Sequence, residues 1–204
     1  MTAADTGGSV SAATSEPLLL QVLRTDAGAM IETARLLLRP MRADDRDALL
    51  AVFGDPRVMA AFGAEPFGQS QMKRWVERNL EHQNRHGYGL FSIIHKADRR
   101  LVGDCGLEHR EIGGVPEVEL GYDLRSDYWN RGLATEAARA VLEWAFGPLR
   151  LARLTSLVRQ GNIASARVAE KIGMRRETSI VQSGTPYWLY ALSRQDEPAE
   201  TDRT

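Results

Sequence analysis

Between Trp129 and Ala137 the chain reads Trp-Asn-Arg-Gly-Leu-Ala-Thr-Glu-Ala, with small residues at Gly132 and Ala134 where a strand pattern gives way to an amphipathic helix. Small side chains let backbone approach a ligand closely. The first turn of a helix carries unpaired N–H groups and the positive end of the helix dipole. Together these describe a cradle for a pyrophosphate that needs no lysine loop. A plain strand-to-helix turn, tight at glycine, uses the same residues. Upstream, Val118-Glu119-Leu120-Gly121-Tyr122 alternates. Glu119 and Gly121 therefore share one strand face, and Val118, Leu120 and Tyr122 the other. A carboxylate in a central strand is rarely buried without a partner or a role. Glu117, two residues back, would raise the Glu119 pKa by like charge, which suits a general base near neutral pH. The other reading of Glu119 is a solvated or salt-bridged strand face. Downstream, Asn162 stands where a helix N-cap belongs. Ser165 lies about one helical turn further on, so the two can share a face.

Other reactive residues carry less. His82 and His86 are spaced i, i+4, but no nearby Cys or acid-His motif completes a metal site, so no metal is expected. Cys105 sits in a strand pattern and reads as a small hydrophobe. As the only cysteine it makes no internal disulfide. The formal net charge of −1 gives no bulk electrostatic case for nucleic acid or an anionic membrane. No apolar run approaches the roughly 20 residues that span a bilayer. Met1 to Val10 contains Asp5 and no Lys or Arg, unlike a secretory leader. A cytoplasmic protein is the expectation. There is no Gly-rich Lys-Ser/Thr loop of the kind that binds nucleoside triphosphates.

The elements that must position these residues alternate along the chain. Arg35–Arg39 reads as a buried strand ended by Pro40. Asp44-Asp45 opens a helix running through Leu49, Leu50 and Phe53, with acids in its first turn. Gly54-Asp55-Pro56 leads into a short helix, and Ser70 reads as the cap of a third, ending near Gly87. Strands follow at Tyr88–His95, Arg100–Arg110 and Val115–Leu124. The turns between them fall at Asp98–Arg100 and Gly113-Gly114, so consecutive antiparallel pairing is expected. Then come a helix at Leu133–Phe146, a strand at Leu151–Val158, a helix at Ile163–Lys171 and a strand at Pro186–Leu192. Strand–helix–strand–helix–strand calls for a mixed sheet with a parallel crossover. Residues 1–30 read as a partly mobile N-terminal extension whose Leu18–Leu23 segment would add a strand or pack on a partner. Residues 31–193 read as one domain, and 194–204 as a mobile tail.

The Asn130–Ala137 stretch resembles the acetyl-CoA pyrophosphate motif of the GNAT acetyltransferase superfamily. Where that superfamily often has Gln, three residues before the first glycine, this chain has Trp129. The same is true of the branch that acetylates the N-terminal residues of ribosomal proteins. Thr33–Pro40, Asp55–Met59, Glu119–Tyr122, Asn162–Ser165 and Glu170–Met174 are similar to further landmarks of that branch, in order and spacing, over about Ile31 to Leu192. The resemblance implies an α+β fold: a mixed, mostly antiparallel central sheet with a splayed parallel strand pair, flanked by helices. It implies an N-acetyltransferase that uses acetyl-CoA as co-substrate and transfers acetyl to a primary amine by direct attack. The acceptor would be a small molecule or a protein N-terminus, and the enzyme a monomer or a homodimer.

Carried over residue by residue, Leu124 would pair with pantetheine through its backbone. Asn130, Arg131, Gly132, Leu133, Ala134 and Thr135 would hold the pyrophosphate. Asn162 would contact the pantetheine arm, and Glu119 would be the general base. The tyrosine that protonates the leaving thiolate in many members is replaced here by Ala169. Ser165, Tyr128 or a water must then serve. That departure also motivates a second reading, a non-catalytic acyl-CoA-binding or interaction module.

Overall fold

A computed structural model of the chain describes residues 21–25 and 28–196. Residues 1–20 and 197–204, the outer parts of the extension and tail read from the sequence, lie outside the described residues. Among the described residues nine strands form one sheet in the order β1-β2-β3-β4-β5-β6-β7-β9-β8. They are β1 (Gln21–Thr25), β2 (Gly28–Glu32), β3 (Leu36–Pro40), β4 (Leu90–His95), β5 (Arg100–Ile112), β6 (Val115–Leu124), β7 (Arg153–Arg159), β8 (Arg175–Gln182) and β9 (Thr185–Ser193). Every neighbouring pair is antiparallel except β6 with β7. The expected mixed, mostly antiparallel sheet with one parallel pair is present. Part of the segment read as an extension builds the β1–β2 hairpin.

Helix α4 (Leu133–Phe146) makes the crossover from β6 to β7. Its Ala137, Ala138, Val141 and Ala145 are fully or almost fully buried. Small side chains at these positions let the helix lie close on the sheet and join a core with Leu107, Leu120, Leu154 and Cys105. The other sheet face is covered by α1 (Arg46–Phe53), α2 (Pro56–Phe62) and α3 (Gln69–His86). Their core is Leu49, Val52, Phe53, Val58, Met72 and Val76, against Leu90 of β4. Helix α5 (Ile163–Lys171) follows β7.

One local expectation is corrected. The cap of α3 is Gly68, not Ser70: Gln71 Oε1 accepts the Gly68 N–H at 3.0 Å. At the start of α1, as expected, stands Asp45. It ends a 3-10 turn, Ala43–Asp45, and is buried. Strand β8 had no expectation at all. It is a mostly exposed edge strand, so its sequence carries no buried face to mark it. Among the described residues no helix is long and apolar enough to cross a membrane.

Candidate active site

Strands β6 and β7 pair at a single register position, Glu119 with Thr155, and then diverge. On the β5 side the Arg125 N–H bonds the Val102 carbonyl (2.8 Å). In an antiparallel ladder backbone groups alternate in direction. Those of Tyr122 and Leu124 therefore turn away from β5, into the opening beside β7. That is an unpaired strand edge, the kind an extended ligand can join by main-chain bonds. The Leu124 carbonyl already accepts the indole Nε1–H of Trp129 (2.9 Å), which leaves its N–H for the opening.

The turn after β6 leads into α4. Asn130 and Gly132 both have left-handed backbone, with φ 59° and 76°. For Asn this conformation is uncommon, and for Gly it is free of steric penalty. The first helical bond runs from the Glu136 N–H to the Gly132 carbonyl (3.0 Å). The N–H groups of Leu133, Ala134 and Thr135 precede it and make up the free first turn. Glu136 anchors this turn to the start of β3, accepting from Thr33 Oγ1 (2.6 Å), the Arg35 N–H (2.9 Å) and Arg35 Nε (2.6 Å). Arg131 is not extended from the turn. Its guanidinium folds back over the Tyr128 ring, 5.0 Å from the centroid, and donates to the Asp127 carbonyl (2.7 Å). Arg35 stands closer to the turn, with Nη1 on the Arg131 carbonyl at 2.8 Å.

Below the splay lies a cavity of about 340 Å³ lined by residues of both sheet halves and of α1–α3. Glu119, Asn162 and Ser165 all line it. Glu119 is 8% exposed. It accepts from Arg110 Nη1 (2.9 Å) and from the Leu157 N–H (3.1 Å), so its carboxylate bridges the two diverging strands. Burial lifts its carboxyl above the ordinary value; Arg110 and the Leu157 N–H oppose the rise, and Glu108 adds to it. The like charge thus comes from Glu108, directly opposite across the β5–β6 ladder, and not from Glu117. Glu117 instead forms an ion pair with Arg153 of β7 at 3.4 Å.

Asn162 caps α5 through Oδ1, which accepts the Ser165 N–H at 3.2 Å. The cap and the cavity wall are the same side chain. The Ser165 carbonyl accepts the Tyr122 hydroxyl at 2.7 Å, and Tyr122 also lines the cavity. Tyr128 is elsewhere. It does not line this cavity, and its hydroxyl donates to Oδ2 of the exposed Asp98, in the turn between β4 and β5 (2.6 Å). Trp75 packs on Phe53, centroids 4.8 Å apart, and its ring also walls the cavity.

Sequence reasoning passed over Arg110, Tyr122 and the acids Asp104, Glu108 and Asp123, all of which line the cavity. The signal was available. A tight turn at Gly113-Gly114 pairs Ile112 with Val115, which sets Glu108 against Glu119 and Asp104 against Asp123.

A family model described as an acetyltransferase (GNAT) domain matches residues 35–175. The chain is 32% identical over 166 residues to the uncharacterized protein YkkB of Bacillus subtilis, covering 81% of this chain and 96% of that protein. It is 30% identical to the uncharacterized N-acetyltransferase p20 of Bacillus licheniformis, over 71% of this chain and 82% of that protein. Among solved structures it is similar to a GNAT-family acetyltransferase from Bacillus anthracis, with TM-score 0.69 and 28% identity over 82% of this chain and 99% of that one. The ribosomal L7/L12 alpha-N-protein acetyltransferase solved with coenzyme A shares the fold, with TM-score 0.66 at 19% identity over 80% of this chain and 97% of that one.

Proposed function

The chain belongs to the GNAT acetyltransferase family, an N-acetyltransferase family that uses acetyl-CoA, and on that premise we propose that it transfers acetyl to a primary amine by direct attack within a ternary complex. The acceptor is a small-molecule amine or a protein N-terminus. The observation that carries this reading is the position of Glu119. It stands at the one place where β6 and β7 still pair, at the apex of the opening, with its pKa raised by burial.

The free edge of β6 at Tyr122 and Leu124 suits pantetheine, and the first turn of α4, Leu133 to Thr135, suits the pyrophosphate. Asn130 and Gly132 give the turn its left-handed shape. Arg131 has only to leave Tyr128 to reach a phosphate, and Asn162 borders the pantetheine path. Glu119, directly or through a water, takes the proton of the ammonium. The freed lone pair attacks the thioester carbonyl, the C–S bond breaks, and the second proton leaving the nitrogen is passed through Ser165 or water to the departing thiolate. Holding both reactants in one cleft supplies much of the acceleration.

Calorimetric titration with acetyl-CoA, with ATP as control, tests the cofactor half. Binding of acetyl-CoA alone, weakened at least about tenfold by Gly132→Val, is expected. Absence of binding by folded protein defeats the reading. The chemical half rests on Glu119→Gln. A drop in kcat/KM of about 100-fold, with loss of the acid limb of the pH profile, is expected. An unchanged profile removes Glu119 as base.

A further inference from the structure

The cavity floor has a second pair of carboxylates. Asp104 and Asp123 face each other across the β5–β6 ladder, on the same sheet face as Glu108 and Glu119. Asp104 is 0% exposed, and neither of its carboxylate oxygens has a hydrogen-bond partner among the described residues. Ser92, its neighbour on β4, donates its hydroxyl to Asp45 instead. The charged groups that act on the pair are of its own sign: Glu108 on both, and Glu119 on Asp123. Of the arginines that line the cavity, Arg110 is held by Glu119. The Arg159 guanidinium lies beside Gly63, and Arg78 is exposed on α3. A buried acid with both oxygens unpaired calls for a cationic ligand or a proton.

The floor between the two acid pairs is open. Gly121 lies midway between Glu119 and Asp123. A Cβ built there meets only Leu90 Cδ2, at 4.0 Å. Four residues along a strand span roughly 13 Å. Phe53, Phe67 and Trp75 face this trough, an aromatic wall suited to methylenes and to a cation. The arrangement has a carboxylate end, an apolar middle and a second carboxylate end.

We propose that Asp104 and Asp123 form a subsite for a second ammonium group of the acceptor, so that the preferred substrate is an aliphatic diamine or longer polyamine. This rests on the transferase reading of the same cavity. One amine is presented at Glu119, while the other is held at the Asp104–Asp123 pair, with the methylene chain over Gly121.

The test compares 1,4-diaminobutane and 1,8-diaminooctane with butylamine and octylamine, as kcat/KM under saturating acetyl-CoA. A charge-assisted contact predicts a diamine preference of at least about tenfold. Asp123→Asn and Asp104→Asn, checked for folding by thermal melting, should bring the diamine-to-monoamine ratio close to unity. A wild-type ratio near unity overturns the subsite, as does a ratio that survives both substitutions. If no amine is acetylated, calorimetry on CoA-saturated protein decides. Diamine binding that is lost in Asp123→Asn retains the subsite and defeats only the transfer reading; no diamine binding overturns the subsite itself.

Discussion

One row of side chains crosses four strands on a single sheet face: Arg39, Ser92, Asp104 and Asp123, each the register partner of the next. At its β3 end, Asp45 reaches in from the turn before α1 and is fully provided for. Arg39 binds it through two nitrogens at 2.8 and 2.5 Å, the Ser92 hydroxyl donates at 2.7 Å, and the Arg42 N–H donates at 2.8 Å. Burial alone would raise its carboxyl, but these donors outweigh burial and hold it below the ordinary value. At the β6 end, Asp104 has none of this. Burial, reinforced by Asp123 and Glu108, pushes it well above the ordinary value. Both acids are buried, and they lie on either side of one serine. The first closes the fold around a satisfied charge; the second keeps its unmet demand directed at the cavity. Burial by itself therefore does not identify a functional carboxylate. Its donors do.

The largest effect should come from breaking the satisfied end. Asp45→Ala leaves Arg39 facing an empty, largely buried site and should lower stability by about 3 kcal/mol or more, read from urea unfolding at pH 7. Because the folded pKa of Asp45 is depressed, this contribution is present above the unfolded value of 3.8 and fades as pH falls through the folded one. The Asp45→Ala deficit should shrink in acid. The unsatisfied end should behave with opposite sign. Asp123 is raised by burial from 3.8 to about 7, with Glu108 and Glu119 adding to the rise. The folded state thus binds an extra proton between those values, and stability falls as pH rises across that window. Asp123→Asn should remove that decline, so that its stability relative to the unsubstituted protein rises between pH 4 and pH 8. Equal pH slopes for the two variants would dissolve the contrast. The smallest effect is Arg39→Lys. It keeps the charge and loses the two-pronged contact, for a loss of about 1 kcal/mol in the same unfolding assay.

Local chemistry made much of this legible from sequence. The β5–β6 hairpin followed from Gly113-Gly114, α4 from its apolar period, and the opening residues of α4 from Gly132 and Ala134. What escaped was set by partners distant in sequence. Glu117 looked like the neighbour that tunes Glu119, until Arg153 from β7 claimed it. Asp45 was legible as a helix-start acid but not as a buried one, because its partners, Arg39 and Ser92, lie on two different strands. Tyr128 looked available until Asp98 engaged its hydroxyl. Strand β8 has no buried face, so hydrophobic alternation could not reveal it. Asn162 was legible as a helix cap, and the same residue borders the cleft.

The single register position joining β6 to β7 has a mechanical consequence. Along this seam the backbones join at one point, and side chains supply the other ties: Glu119 to the Leu157 N–H, Thr155 Oγ1 to the Val118 carbonyl and Glu117 to Arg153. A ligand bonded to the free edge of β6 and to the start of α4 would tie that strand edge to the helix that follows it, and its binding energy would add to the stability of the folded state. By mass action, saturation at one hundred times Kd adds about 2.7 kcal/mol to the folded state. The amides of Tyr122 and Leu124 should then exchange with solvent more slowly than in the free protein.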